Sequence, residues 1–465
     1  MIPITEFAGR DVAVFGLARS GVAAALALVA GGARVHAWDD SEASRAKAAA
    51  AGAPIGEFEA ARDRRFAALV LSPGVPLTHP RPHRVVEWAR AAGVPVIGDI
   101  ELFARAVNAL APSARPKVIG VTGTNGKSTT TALIGHVLAQ AGKDVRVGGN
   151  IGVAALDLPA LHGGAIYVLE LSSFQLDLTE SLRCDAAILL NITPDHIDRH
   201  GDLAGYAGAK RRIFANQGAG DWAIVGVDTP DSARICTELT AAGAQRVVAI
   251  SNAQALGRGV SALGAQLYDA IDGAAKPALD LARAAALPGK HNAQNVAAAY
   301  AACAAMGLGA RAIAAGVESF PGLAHRMERA GAVHGVRFVN DSKATNADAA
   351  AQALACYDRV YWIAGGVPKE GGIAPLVGFF PRMAKAYLIG EAAPAFAATL
   401  EGHVPVTMAG ALEAAVRAAY ADARAEQGLV LFSPACASFD QFRDFEARGE
   451  AFKEIVARIG QEAEA

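Results

Sequence analysis

"VTGTNGKSTTTALIG", residues 121–135, follows the apolar run Lys117-Val118-Ile119-Gly120 and precedes a stretch that can continue as helix to about Gln140. A strand running into Gly123-Thr124-Asn125-Gly126-Lys127-Ser128 must turn tightly, which aims several backbone N–H groups and the positive end of a helix at one spot. Such a spot suits a phosphate. Lys127 would reach the outer phosphates and the Ser128 hydroxyl would face a magnesium ion, as in a Walker A loop, although Val121 stands where the strict pattern has its first glycine. The expectation is a nucleoside triphosphate site on an α/β scaffold.

The rest of the chain agrees with that class. Val-, Ile- and Leu-rich strands recur between alanine-rich helical stretches from beginning to end, the pattern of parallel sheets covered by helices on both faces. At 465 residues the chain exceeds what one core usually holds. The periodicity lapses at the proline-bearing link Ala109–Pro116, directly before the phosphate-loop strand, and again at Phe320-Pro321-Gly322-Leu323, after which a new strand-and-helix series opens at Val336–Val339. Three domains are therefore expected, over 1–112, 113–321 and 322–465. The first and last are expected to be Rossmann-like, the middle one a P-loop-type ATPase domain with a mainly parallel sheet.

A net charge of −2, from 43 basic and 45 acidic residues, gives no field that would favour nucleic acid or an anionic membrane surface. The start, "MIPITEFAGRDVAVF", lacks the basic and apolar regions of a signal peptide, and no apolar stretch has the length of a bilayer span, so a cytoplasmic protein is expected. Cys184, Cys236, Cys303, Cys356 and Cys436 are scattered, with no Cys-x-x-Cys pair, and read as reduced, mostly buried thiols.

Near the start, "VAVFGLARSGVAAALALV" reads as strand, glycine turn and helix, with Asp39 and Asp40 closing the next strand, as in a dinucleotide fingerprint. Ala18 replaces the second glycine, which speaks against a close NAD fit. Ser72-Pro73-Gly74 falls at another strand end, at the carboxyl edge where open α/β sheets take ligands. Past the phosphate loop, "AIYVLELSSFQL" ends a strand with Glu170, and "AAILLNITPDHIDRHG" carries Asn191, Asp195 and His196 past another strand end. A carboxylate beside Ser128 suits a hard cation. His196 and His200, four apart, lack the glutamate of a zinc helix, and His200 reads as a solvated surface histidine. Lys210 reads locally as one more helix-surface lysine.

Taken in order, "TGTNGKST", "ELSSFQL", "NITPDHIDRH", Lys210, "GKHNAQN" and "NDSKATN" make the chain resemble the Mur ligases, ATP-dependent enzymes that add amino acids to the peptidoglycan precursor. The resemblance covers all three expected domains. It implies an ATP site from Gly123, Thr124, Asn125, Gly126, Lys127, Ser128 and Thr129, with Asn292 and Asn295 on the adenine side. It implies magnesium at two sites, held by Ser128, Glu170, His196 and a carbamylated Lys210. A carbamate turns a lysine cation into a carboxylate able to support a metal, whereas a bare ammonium would repel one.

The resemblance further implies UDP-N-acetylmuramoyl-L-alanine and D-glutamate as substrates of a protein expected to be monomeric. The UDP-linked substrate falls to Arg19, Ser20, Asp39, Asp40, Ser72, Gly74, Asn150, Ser172 and Ser173. In "HRMERAGAVHGVRFVNDSKATN", Arg326 matches a contact to the γ-phosphate, which an arginine fork suits, and Asp341 one to the ribose. Lys343, Thr345, Lys369, Ser438, Phe439 and Phe445 fall to D-glutamate, whose two carboxylates need cationic and hydroxyl partners. Catalytic weight falls on Lys127, Glu170, His196, Lys210 and Arg326. The alternatives left open are a related Mur ligase, a folylpolyglutamate synthase-like ligase with a different acceptor, and a nucleotide-gated binding protein.

Overall fold

The computed structural model describes residues 1–56, 65–369 and 371–464. Among these, the strands form three sheets. The first, in the order β2-β1-β3-β4, is wholly parallel and comprises β1 (Asp11–Phe15), β2 (Arg34–Trp38), β3 (Phe66–Leu71) and β4 (Val96–Ile97). The alanine-rich helix Arg19–Ala30 follows β1, as "GLARSG" predicts.

The second sheet has nine strands: β5 (Lys117–Thr122), β6 (Asp144–Gly149), β7 (Ala165–Glu170), β8 (Ala186–Leu189), β9 (Trp222–Gly226), β10 (Arg246–Ser251), β11 (Val260–Leu263), β12 (Gln266–Asp269) and β13 (Lys276–Asp280). β5 lies between β7 and β8, both parallel to it and both buried along their length. The phosphate loop thus leaves the sheet at its C-terminal edge between two further strand ends. The sheet departs from all-parallel order at one side, where β11, β12 and β13 pair antiparallel.

The third sheet, in the order β14-β15-β19-β16-β17-β18, comprises β14 (Glu328–Val333), β15 (Val336–Asn340), β16 (Val360–Gly365), β17 (Met383–Ile389), β18 (Val406–Gly410) and β19 (Leu429–Phe432). It opens on the antiparallel hairpin β14–β15 rather than on Val336–Val339, a strand that alternation of exposed and half-buried residues along "ERAGAV" disguised.

By compactness the chain divides into two units, Met1–Arg283 with Asn292–Phe320, and Ala284–His291 with Pro321–Ala465. The first two sheets fall in one unit because one apolar cluster runs through both. The helix Asp99–Asn108 is part of it, with the Phe103 ring 5.5 Å from that of Tyr167 on β7. The cysteines are free thiols, all buried except the half-buried Cys356. Among the described residues no helix is long and apolar enough to cross a membrane.

Candidate active site

The phosphate loop is shaped by two glycines and pinned by β8. Gly123 and Gly126 both have positive φ, and Gly126 is the residue from which the helix Lys127–Gln140 starts. A Cβ on Gly126 would lie 2.2 Å from Asn295 Oδ1, so a side chain is excluded by contact as well as by conformation. Thr124 N donates to Asn191 O, and Asn125 N to Asn191 Oδ1, each at 2.9 Å. Asn295 and Asn292 lie beneath the loop; Asn295 Nδ2 donates to Asn292 Oδ1 at 3.0 Å, and Thr130 Oγ1 donates to Asn295 Oδ1 at 3.2 Å. Ser128 is buried at the helix start and Thr129 half-buried beside it.

Two lysine side chains meet on this loop. Lys127 Nζ donates to Gly123 O at 2.9 Å and Thr124 O at 2.7 Å, and Lys210 Nζ donates to the same Gly123 O at 2.8 Å. Lys210 is only 1% exposed and lies 4.6 Å from the centre of the Tyr206 ring. This overturns its reading as a surface lysine. Burial, and after it the charge of Lys127, push its pKa well below the ordinary 10.5, against the pull of Asp195 and Glu170. The local sequence held a signal: Lys210 stands four residues after Tyr206 on the helix Leu203–Arg211, on one face with it, and Ile213 follows three residues on in the next short turn.

Glu170 closes β7 and is buried. Its Oε1 accepts from Asn150 Nδ2 at 2.7 Å, whereas Oε2 has no hydrogen-bond partner. His196 has φ 52 at the entry to the short helix Ile197–His200, with Asp195 Oδ2 3.4 Å from its Nε2. Burial and the two lysine charges hold its pKa below the ordinary 6.5, leaving a neutral ring with a lone pair. Lys127, Asn150, Ser172, Ser173, Phe174, His196, Tyr206 and Lys210 together line a cleft of about 150 Å³. Sequence reasoning missed Phe174 and Tyr206, whose hydroxyl lies 3.2 Å from Thr124 Oγ1.

His200 corrects the sequence reading. It is buried, with Nε2 3.0 Å from Ser173 Oγ and Nδ1 3.3 Å from Asp177 Oδ2, and its ring lies against Phe174 and Tyr206. A polar spacing of four cannot reveal that the helix Ser173–Asp177 packs over it. Ser172 caps that helix: its Oγ accepts from Gln175 N, and Gln175 Oε1 accepts from Ser172 N.

The expected UDP-substrate residues of the first sheet are held by their own surroundings. Asp39 accepts from Leu17 N at 2.6 Å and Ser41 N at 2.8 Å, and Asp40 pairs with Arg84 at 2.9 Å and His83 at 3.2 Å. Ser72 Oγ donates to Gly16 O at 2.8 Å. Arg19 donates to Asn150 O at 2.7 Å and Gly152 O at 2.6 Å, which ties the first helix to the loop carrying Asn150. Ser20 is half-buried and Gly74 exposed.

In the second unit, three loops leave the adjacent strands β15, β19 and β16. Asp341 follows β15, buried, accepting from Ser433 Oγ at 2.7 Å and Met327 N at 3.2 Å; burial raises its pKa to about 7. Arg326 precedes β14, half-buried. Val367 and Ala437 exchange backbone hydrogen bonds at 3.0 and 3.1 Å, which joins the loop of Lys369 to that of Ser438. Lys343 Nζ sits 3.8 Å from the centre of the Phe445 ring; Thr345 is half-buried, Ser438 buried, Lys369 and Phe439 exposed. Arg448, unmentioned by any motif, is buried and donates to Ser342 O at 2.8 Å, Cys436 O at 3.0 Å and Ala437 O at 3.2 Å, so one guanidinium holds two of these loops. Burial raises the Cys436 thiol to about 12, the state of a packed thiol rather than a nucleophile.

Comparison with known proteins agrees with this architecture. The Mur ligase middle domain matches residues 121–303, and the Mur ligase glutamate ligase domain matches 325–436. The chain belongs to the Mur ligase family. Within it, the chain is 59% identical to UDP-N-acetylmuramoylalanine–D-glutamate ligase of Phenylobacterium zucineum, over 99% of this chain and 98% of that protein. It is 60% identical to the protein of that name from a Caulobacter species (strain K31), over 100% and 99%, and 55% identical to that of Rhizobium meliloti, over 99% and 98%. The solved UDP-N-acetylmuramate-alanine ligase of Thermotoga maritima shares the fold at TM-score 0.58 and 18% identity, over 97% of this chain and 100% of that one.

Proposed function

We propose that the chain joins D-glutamate to UDP-N-acetylmuramoyl-L-alanine at the expense of ATP, in the synthesis of the peptidoglycan precursor. The observation that carries the reading is the meeting of Lys127 and Lys210 on Gly123 O, in one cleft with Asn150 and His196 and with Glu170 held by Asn150. The substrates are those named for relatives that match over the whole length. The alanyl carboxylate attacks the γ-phosphorus of ATP, the bond to the β-phosphate oxygen breaks, and ADP leaves an acyl phosphate. The amine of D-glutamate then adds to the acyl carbon, loses a proton, and inorganic phosphate departs. The chain's part is to hold the reacting groups and face developing negative charge with Lys127.

Magnesium fits the donors present. The unpartnered buried Oε2 of Glu170 and the Ser128 hydroxyl are hard oxygen donors, and His196 is neutral. Among the described residues no group of three or more His, Cys, Asp or Glu forms a cage, which suits an ion that keeps waters and substrate oxygens. When bound, magnesium would neutralise charge on the phosphates; Ser128 and Glu170 would hold one ion and His196 a second. Lys210, with its ammonium disfavoured by burial, offers the neutral amine that carbon dioxide needs, and its carbamate would support that centre.

The adenine and ribose roles of Asn292, Asn295 and Asp341, the γ-phosphate role of Arg326, and the D-glutamate roles of Lys343, Thr345, Lys369, Ser438, Phe439 and Phe445 are part of the same reading. So are a three-domain division over 1–112, 113–321 and 322–465, a monomeric state and a cytoplasmic location. The test is product mass from UDP-N-acetylmuramoyl-L-alanine, D-glutamate and ATP with magnesium. The expected result is one added glutamyl residue, with ADP and phosphate released only when both co-substrates are present; ATP hydrolysis indifferent to either would remove the reading.

A further inference from the structure

The phosphate loop is held by a chain of amides that takes no part in the ligation chemistry. Asn191, shortly after β8, takes two N–H groups of the loop, Thr124 N on its backbone oxygen and Asn125 N on Oδ1, each at 2.9 Å. Its Nδ2 donates to Asn125 O at 3.2 Å and to Gln294 Oε1 at 3.1 Å, so one side chain grips both sides of residue 125. Gln294, buried on the helix Lys290–Ala305, continues the chain: its Nε2 donates to Asp228 Oδ2 at 3.1 Å. Asp228 is tied down in turn by Ser251 Oγ at 2.5 Å and Asn252 N at 2.9 Å, at the end of β10. Gly226, which closes β9, leaves the room for this: a Cβ there would lie 3.1 Å from Gln294 Nε2 and 1.9 Å from Leu190 O.

A side-chain amide has an oxygen on one side and an NH2 on the other, so such a chain has a sense. Backbone groups of the loop fix it. Asn125 N only donates and meets the Asn191 oxygen; Asn125 O only accepts and meets Asn191 Nδ2; Gln294 must then turn its oxygen to Asn191 and its NH2 to Asp228. Residue 125 directly precedes Gly126, with φ 87, and the helix that carries Lys127 and Ser128. Where it is held therefore sets where Lys127 and the N–H groups at the helix start stand. We propose that Gln294, anchored by Asp228, is a positioning residue for the phosphate loop, acting through Asn191, so that its loss weakens the hold on the phosphates of the nucleotide and leaves the other two substrates alone. The inference rests on the ATP site proposed above.

The test is calorimetric binding of ADP with magnesium to the full-length protein and to Gln294→Met, Asn191→Ala, the Asn191→Ala/Gln294→Met double variant, Asp228→Ala and Asp228→Asn, together with the KM of each substrate and a thermal melt. Gln294→Met keeps the side-chain length and removes both hydrogen bonds; Asp228→Asn keeps an oxygen for Asn252 N and Gln294. Losing one neutral hydrogen bond corresponds to roughly a five- to tenfold weaker Kd. The expected pattern is that loss for Gln294→Met, Asn191→Ala and Asp228→Ala, no further loss in the double variant, and recovery to within about twofold in Asp228→Asn. The KM for ATP should rise in step, while those for the UDP-linked substrate and D-glutamate stay within about twofold. A merely structural role would lower the melting temperature or the active fraction and leave the ADP affinity in place; that outcome overturns the proposal, as do additive losses or KM values that rise together for all three substrates. Should Gln294→Met fail to fold, the pair Asp228→Ala and Asp228→Asn decides it. Failure of the unaltered protein to bind ADP at all would instead overturn the phosphate-loop assignment, which separates the two claims.

Discussion

The chain makes the same local turn twice and equips it oppositely. In each case a strand ends, glycine with positive φ turns the backbone, Gly16 in the first and Gly123 and Gly126 in the second, and a helix begins with its N–H groups facing the turn: Phe15-Gly16-Leu17-Ala18-Arg19 after β1, and Gly123–Lys127 after β5. At the first, the Asp39 carboxylate accepts from Leu17 N and Ser72 Oγ donates to Gly16 O, so an internal anion and a hydroxyl satisfy the turn. A Cβ on Gly21 would fall 1.8 Å from Gly16 O, so helix and turn are in direct backbone contact. At the second, two lysines converge on one carbonyl, and a carboxylate oxygen stays unpartnered at the end of the neighbouring strand β7. A turn that carries its own anion is built for the fold; a turn faced by cations is built for an anion from outside.

The largest expected effect breaks the second turn's chemistry and leaves its structure. Lys127→Ala should lower turnover by ~10²–10³ or more, the scale of removing one group that stabilises developing charge. Because Lys127 contributes charge rather than core volume, the melting temperature should stay within a few degrees. ADP release and a thermal melt check the two halves; a folded variant with full activity would remove the phosphate-loop assignment.

Next in size is Lys210→Ala, expected to be nearly inactive yet partly restored by short carboxylic acids, which can occupy the place of a carbamate. Lys210→Arg should not recover, since a guanidinium forms no such carboxylate. The depressed pKa adds a direction in pH. Carbon dioxide adds to the neutral amine, and with the pKa held well below 10.5 that form is populated well below the ordinary lysine range, so activity recovered by bicarbonate after its removal should reach its plateau at a pH well under 10.5 rather than climbing all the way to it. An alanine variant with full activity in the absence of added acid would rule the carbamate out.

The two turns also differ in how far they could be read from the residues alone. Strand, loop, helix and Lys127 were legible because the motif is local, and the helix Lys127–Gln140 ends where the sequence suggests. Asp39 and Ser72 were visible as strand-end polar residues, but their engagement with the first turn depends on the order β2-β1-β3, which no window of sequence contains. His200 and Arg448 were missed for the same reason: each is a polar residue whose burial comes from elements distant in the chain. For Lys210, which the resemblance singled out, only the local reading as a surface lysine failed, and avoidably, since Tyr206 four residues earlier on its helix is apolar and buried.

A smaller effect tests a carboxylate of the second unit whose burial outweighs its partners. Asp341 has its pKa raised from 3.8 to about 7 by burial, with Ser433, Met327 N and Arg326 opposing. A raised carboxylate pKa means that the folded state binds more protons than the unfolded one between those values, so its contribution to stability falls as pH rises through that window. Asp341→Asn should therefore be more stable than the unaltered protein above pH 7, with the difference shrinking as pH falls towards 3.8. Denaturant midpoints across that range check it, and a difference that grew on acidification would reverse the sign assigned to the group.

The smallest effect comes from Ser72→Ala, and it is the sharpest test of the comparison because two readings of one residue diverge. Ser72 is an expected contact for the UDP-linked substrate, yet its proton goes to Gly16 O, 2.8 Å away, in a buried bond between β3 and the first turn. Alanine leaves that carbonyl without this donor, and a net intramolecular hydrogen bond is worth about 1 kcal/mol. If the turn is built for the fold, the variant loses roughly that much stability while the KM for the UDP-linked substrate moves by less than about threefold, since a lost substrate hydrogen bond of the same strength would move it by about fivefold or more. The KM for ATP should stay fixed in either case, because the first turn carries none of the groups that face the phosphate loop. A rise of tenfold or more in the UDP-substrate KM with unchanged stability would mean that the first turn, like the second, is built for its ligand, and that its internal anion does not set the two apart.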